Sequence, residues 1–391
     1  MKILMVSMPS LHFFRWTSQL QDSGHEVYWF DITGMSQQAE RIAWVEQKTA
    51  WKLRWNYPGR VFVKSNFPKT YAWIQKINER DTAAVFEAYL NEIKPDVVHS
   101  FALYVSCTPI ITVMEKYPNQ KWVYSSWGSD LFYFQNEYKY LQDIKRVLPR
   151  VNYLFTDCQR DYKIAKQHGF VGEFLGVFPG GGGFDMEKIQ HYKSPVKERK
   201  TILIKGFQGR SGRAIPVLKA IEQLQEVLVG FEVVVFGADA AVFDFVEKSP
   251  LQHWGNFEIK GKILHEEVIK LMGKSLVYIG NSNSDGIPNT LLEAICMEVF
   301  PIQSNQGGAT AEIIKDGMNG MLIENPEDSE DMKQLFLKVI SDVSLIENGI
   351  NHNNKTIKSN LEYHYLRNQE VKKYDLIVLR VLGWSRTDLS N

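Results

Sequence analysis

Two carboxylates, Asp285 and Glu293, stand eight positions apart in the run Ser284-Asp285-Gly286-Ile287-Pro288-Asn289-Thr290-Leu291-Leu292-Glu293-Ala294. Carboxylates accept hydrogen bonds from sugar and ribose hydroxyls, while the open N–H groups of a helix start favour phosphate. The residues before them, 275–280, read as a short buried strand, and 290–297 read as a helix. One acid then sits on the loop at the carboxyl end of a strand and the other within the helix that follows. Open α/β sheets bind their ligands at that edge. The spacing fits a nucleotide-sugar site, with one acid for sugar hydroxyls and one for a ribose. The ordinary structural alternative makes Asp285 a loop acid or cap and Glu293 a first-turn acid.

A second cluster is Lys205-Gly206-Phe207-Gln208-Gly209-Arg210-Ser211-Gly212-Arg213. Glycine-rich loops let backbone approach a pyrophosphate, and cations offset charge on a departing diphosphate. Cations at a helix start are unfavourable without an anion, which points to an anionic ligand. Arg210 and Arg213 are favoured for that role. Lys205 is a further candidate that could also snorkel from a strand end.

The elements that must position these groups alternate strand and helix. In the amino half, strands are predicted at 2–7, 26–30, 96–99, 122–125 and 153–156. A Gly-rich turn, Pro179 to Asp185, leads into a polar run over 187–200 that reads as a linker. A second series follows at 201–204, 231–236, 257–259, 276–279 and 300–303. A capped helix then starts after Asn325-Pro326-Glu327-Asp328, and an amphipathic stretch covers 362–382. Such alternation implies α/β architecture, with two parallel sheets each covered on both faces. The expected organisation is two doubly wound Rossmann-like domains facing each other across a cleft, 1–190 and 191–360, with a terminal helix over 361–391 returning to the first.

With 391 residues the chain exceeds one ordinary core. Its 45 basic and 45 acidic side chains balance, so no global charge argues for nucleic acid. Cys107, Cys158 and Cys296 have neither zinc nor disulfide spacing, which suits a reducing cytoplasm. The opening run is too short for a signal peptide and reads as a first strand. No segment is long and apolar enough for a spanning helix.

The carboxylate run, with the residues after it, resembles the signature of the family 4 retaining glycosyltransferases, whose two-domain fold is called GT-B. That signature is an acid and Gly, then Glu-Ala, a buried strand, Gly-Gly and another Glu. Here it reads Asp285-Gly286, Glu293-Ala294, Pro301 to Asn305, Gly307-Gly308 and Glu312, followed by Asp316-Gly317-Met318-Asn319-Gly320. The resemblance implies that Glu293 holds the ribose and Asp285 and Gly286 meet the donor sugar. It places phosphate against N–H groups near Asn289, Thr290 and Leu291. It implies no catalytic metal and no cofactor, the nucleotide sugar being substrate.

Five positions depart from the pattern. Asp285 replaces the usual Glu, which shortens its reach by about 1.5 Å. Glu298 stands where relatives have Gly. The family's Arg and Lys positions fall on Phe207 and Gly212, so Arg210 and Arg213 are the displaced cations. In the first half, Ser126-Trp127-Gly128-Ser129-Asp130 resembles a His-Gly-x-Asp segment, with Trp127 in place of the His. Asp130 is then the polar group left to face the cleft as a catalytic candidate, or else an N-cap. His12 and Arg15 follow the first strand and, with Trp127, are acceptor-side candidates. His99 reads as structural.

One stretch breaks the charge balance. No Asp or Glu occurs from Gln47 to Asn78, while Lys48, Lys52, Arg54, Arg60, Lys64, Lys69 and Lys76 alternate with aromatics. That composition suits an anionic membrane surface through 48–76, a nucleic acid, an anionic acceptor, or a helix pair with an aromatic core and solvated cations. No nucleic-acid module is recognisable.

The expected activity is transfer of a sugar, with UDP the expected carrier, to a hydroxyl of a glycan or lipid-linked acceptor, anomeric configuration retained. Such an enzyme would be a hexosyl- or N-acetylhexosaminyltransferase of cell-surface polysaccharide synthesis. A GT-B nucleotide-sugar epimerase, or a lapsed transferase serving as a binding subunit, are the rivals.

Overall fold

In the computed structural model, which describes residues 1–381, two sheets form, each wholly parallel. The first has strands β1 (Lys2–Ser7), β2 (Glu26–Asp31), β3 (Glu46–Lys48), β4 (Val97–Phe101), β5 (Lys121–Ser126), β6 (Tyr153–Thr156) and β7 (Glu173–Val177). They lie in the order β3-β2-β1-β4-β5-β6-β7. The second has β8 (Thr201–Lys205), β9 (Glu232–Phe236), β10 (Phe257–Ile259), β11 (Ser275–Gly280), β12 (Phe300–Ser304) and β13 (Met321–Ile323). Their order is β10-β9-β8-β11-β12-β13. In both sheets the order reverses beside the first strand, at β1/β4 and at β8/β11, and loops at such a reversal open a crevice at the carboxyl edge.

Burial on both faces explains why the middle strands of the second sheet are mostly apolar. In β8, β9 and β11 successive side chains alternate between two cores: Ile202, Ile204, Val233, Val235, Val277 and Ile279 enter one, and Leu203, Val234 and Tyr278 the other. A pleated strand presents alternate residues to opposite faces, and here helices cover both. This is the α/β organisation expected for GT-B.

Among the described residues, contacts divide the chain into one unit of 1–157, 161–182 and 367–381, and a second of 158–160 and 183–366. The terminal helix Tyr363–Val381 supplies the first unit with Tyr374. The Tyr374 hydroxyl accepts the Trp16 indole N–H (3.0 Å) and lies 2.6 Å from His99 Nδ1. The remainder of the expected terminal helix, 382–391, lies outside the described residues.

The expected linker over 187–200 is instead built into the second unit. It begins with the helix Met186–Gln190 and ends on Arg199, which is 4% exposed. That guanidinium donates to the carbonyls of Ser194, Ser275, Met297 and Glu298. Polar composition marked a buried cation tying four carbonyls, not a free tether. Among the described residues, no helix is long and apolar enough to cross a membrane.

Candidate functional site

The second sheet places the two acids as their spacing predicts. After β11 the chain forms a loop over 281–288, and the helix Asn289–Cys296 follows with Pro288 at its N-cap. Gly280 ends the strand where a Cβ would come 2.1 Å from Gln303 Oε1, so a larger residue there would have to displace that side chain. The loop is then stitched to its neighbours. Asn281 Nδ2 donates to the carbonyls of Arg213 (2.9 Å) and Pro326 (2.8 Å). The Ser282 N–H donates to Ser304 Oγ (2.9 Å) and the Asn283 N–H to the Ser211 carbonyl (2.8 Å).

These bonds hold the segment that carries Asp285. Asp285 is half-buried, and its Oδ1 accepts the N–H of the buried Gly286 at 2.9 Å. Glu293 is 3% exposed one turn into the helix. Its Oε1 lies 2.6 Å from Nε2 of His265, the first residue of the helix His265–Lys274. Thr290 accepts a hydrogen bond from the Tyr278 hydroxyl (2.8 Å), which orients the first turn. The Leu291 N–H is used inside the helix, donating to the Pro288 carbonyl at 3.0 Å. That bond takes Leu291 out of the expected phosphate cradle.

The Lys205–Arg213 loop follows β8, the neighbour of β11, so the sheet brings both clusters to one edge. A backbone bridge between Gly212 and Ser282 joins them. Gly212 permits this because a Cβ there would lie 2.0 Å from the Phe207 carbonyl oxygen. Asp239 Oδ2 accepts the N–H groups of Gln208 (2.8 Å) and Gly209 (3.0 Å). Gln208 Oε1 in turn accepts the Ile215 N–H (2.9 Å) at the start of the helix Ala214–Glu222.

That arrangement corrects the charge argument for an anion. The helix start is capped by Gln208, and the Arg213 guanidinium pairs with Glu327 and donates to the Gly212 carbonyl at 2.6 Å. The cation that seemed to demand a ligand already has a carboxylate. Arg210 lies exposed in the loop, and Lys205 is half-buried at the strand end.

In the first sheet, His12 is exposed on the helix Leu11–Ser18 directly after β1. Its ring meets Trp127 edge-on with centroids 6.0 Å apart, and Trp127 packs on Phe101 at 4.9 Å. Arg15 is half-buried on the same helix. Asp130 does not face solvent: it is 4% exposed, and its Oδ2 accepts the Leu103 N–H (2.7 Å) and the Tyr124 hydroxyl. Burial pushes its carboxyl up to about 7, although both hydrogen bonds oppose the shift. The geometry is that of a loop anchor, which takes Asp130 off the catalytic list. His99 is wholly buried between Tyr374 and Ser125 Oγ (2.8 Å), and burial holds its pKa well below the usual imidazole value. The structural reading of His99 stands.

Four residues of the second site had no role legible in the sequence. Gln208 lies within the glycine-rich run and Glu327 at a helix start, but His265 and Asp239 belong to no motif, and His265 lies 28 positions from the acid it touches. Only Asp239 carried a signal, as an acid directly before a helix that it also caps.

Residues 186–356 match the family model for glycosyl transferases group 1. The matched span holds both carboxylates and the β8 loop. Among solved structures, the chain is similar to HepE of Anabaena in complex with UDP-glucose: 12% identity, TM-score 0.69, covering 96% of this chain and 100% of that one. It is also similar to sucrose-phosphate synthase of Thermosynechococcus elongatus, at 13% identity and TM-score 0.70 over 97% and 99% of the two chains. A glycosyltransferase of Rickettsia africae aligns at 15% identity and TM-score 0.64 over 96% and 98%. These likenesses show the GT-B fold. No curated protein matches the chain by sequence.

Proposed function

We propose that this chain is a retaining glycosyltransferase that moves a sugar from a UDP-sugar to a hydroxyl of a glycan or lipid-linked acceptor. The observation that carries the reading is the pair Asp285 and Glu293 on either side of a helix start, at the strand-order reversal of the second sheet. The match of 186–356 to the group 1 model supports it, and HepE, of the same fold, is described with UDP-glucose.

In this reading the second unit takes the donor and the first takes the acceptor. Glu293, oriented by His265, accepts ribose hydroxyls. Asp285 accepts hydroxyls of the sugar, its shorter side chain held on a loop that the Asn281 bonds fix in place. The diphosphate meets the helix start at Asn289 and Thr290, with Arg210 and Arg213 as cations; Arg213 must exchange Glu327 for phosphate to contribute. His12 and Trp127 offer an aromatic surface to the acceptor.

Incubation with a panel of UDP-sugars, with and without candidate acceptors, tests the reading through UDP release. Release that rises with acceptor, and a product of unchanged anomeric configuration by NMR, is the expected result. Interconversion of the donor without UDP release would mean an epimerase, and inert donors bound without turnover would mean a binding subunit.

A further inference from the structure

Basic and aromatic residues between Gln47 and Asn78 have two fates. Trp51 is 5% exposed and stacks on Phe30. Lys48 and Lys52 stand 4.0 and 3.7 Å from Glu92 and Glu79. This part is core and neutralised surface.

The following part is not. Two short helices, Arg60–Asn66 and Pro68–Asn78, form a hairpin in which the first buries none of its residues. Val61, Phe62, Phe67, Trp73 and Ile77 are 54–72% exposed, and Trp55 just before the hairpin is 47% exposed. Among the described residues, no other stretch of similar length gathers so many exposed large apolar side chains. Lone exposed apolar residues need no explanation, but a cluster does. Lys64, Lys69 and Lys76 interleave with them and, among the described residues, form no ion pair.

The hairpin is not a loosely attached appendage. Asn78 is fully buried at its base and clamps the Trp55 backbone, accepting its N–H (3.0 Å) and donating to its carbonyl (2.9 Å). Ile74 and the buried Gln75 and Asn78 make the inward side of the second helix, which turns Lys69, Trp73, Lys76 and Ile77 outward. The unit therefore displays an apolar and cationic face from a fixed base.

We propose that this hairpin docks the protein onto an anionic lipid bilayer. Tryptophan and phenylalanine seat at the headgroup boundary while lysines meet anionic headgroups, the composition that interfacial helices use. Charge decides against a second copy as occupant. Self-association would press two lysine-bearing faces together with no acid between Gln47 and Asn78 to answer them.

Co-sedimentation of the full chain, without donor, uses vesicles of phosphatidylcholine alone or mixed with phosphatidylglycerol. Because no nucleotide sugar takes part, the result is independent of the transferase reading. Binding is expected only to the mixed vesicles and should fall at high salt. The triple change Lys64→Gln, Lys69→Gln, Lys76→Gln should weaken it on the order of a hundredfold. Phe62→Ser with Trp73→Ser should abolish it, with an unaltered circular dichroism melt showing that the fold survives. No binding to the mixed vesicles, equal binding by both variants, or a wild-type dimer in sedimentation analysis that Phe62→Ser with Trp73→Ser dissolves would each overturn the proposal.

Discussion

The two sheets share one strand order through their reversal, yet they furnish the same edge with different chemistry. At β8/β11 the loops are short, glycine-punctuated and held by side chains bonded to backbone: Asn281 to Arg213 and Pro326, Asp239 to Gln208 and Gly209. At β1/β4 the corresponding region is aromatic, with His12, Trp127 and Phe101 in contact and Asp130 withdrawn into the interior. A polar, stitched edge suits a ligand whose hydroxyls and phosphates must be met at fixed positions. An aromatic edge suits the flat faces of a sugar ring. The difference lies in the loops and not in the strands, which run in the same order through the reversal.

The difference between the two edges is expected to be largest at Asp285. Asp285→Ala should lower kcat by roughly a hundredfold or more, because its hydrogen bonds to the sugar serve the reacting end of the donor. The dissociation constant for UDP, which lacks the sugar, should barely move. Steady-state kinetics beside calorimetry reads both; equal losses in the two would make Asp285 a structural residue.

Arg213 sharpens the contrast between a cation with a partner and one with a ligand. Arg213→Ala should raise the UDP dissociation constant by roughly tenfold, as for one charge-assisted phosphate contact. Glu327→Gln, which releases the guanidinium, should leave UDP binding intact or tighten it. Weaker binding in Glu327→Gln would mean that the ion pair, and not the free cation, shapes the loop.

Glu298 shows a stitched region paying in backbone strain for its own stability. It adopts φ 62°, a left-handed conformation that Gly takes without cost and that fits the Gly the family pattern implies at this place. Burial would push its carboxyl up, but hydrogen bonds from Lys193 and Lys358, each at 2.7 Å, hold it down to about 2. A folded pKa below the unfolded one gives stability that is present above about pH 4.5 and lost as pH falls toward 2. Glu298→Gln should therefore cost about 2 kcal/mol at neutral pH, with most of the difference gone near pH 2. Urea unfolding at the two pH values checks this, and a pH-independent difference would refute the assignment to charge.

The smallest effect is expected at His265. His265→Ala removes the group that orients Glu293 and should raise the UDP dissociation constant by only a few fold, with kcat little changed. A large fall in kcat would give the imidazole a direct part in turnover.

Legibility followed burial. The central strands announced themselves because both faces are covered and their residues are mostly apolar, as in Val233-Val234-Val235. The three strands absent from the sequence reading, β3, β7 and β13, all lie at sheet edges. Each is short or interrupted: Glu46-Gln47-Lys48 is polar, Gly176 breaks β7, and β13 has three residues. An edge strand is covered less and so carries a weaker apolar signal. At the site, residues adjacent in sequence were legible, as with Asp285 and the helix start. Partners that folding alone unites, such as His265 with Glu293 or Arg213 with Glu327, were not. The basic-aromatic stretch was half legible, since composition could not separate the buried Trp51 from the exposed Trp73.

Titration calorimetry with UDP separates a Glu293 that holds the nucleotide from an Asp285 that serves the sugar. Glu293→Ala should weaken UDP binding by roughly ten- to a hundredfold, the worth of a hydrogen bond to a charged group, while Asp285→Ala binds UDP as the wild type does. Wild-type affinity in Glu293→Ala would contradict the account.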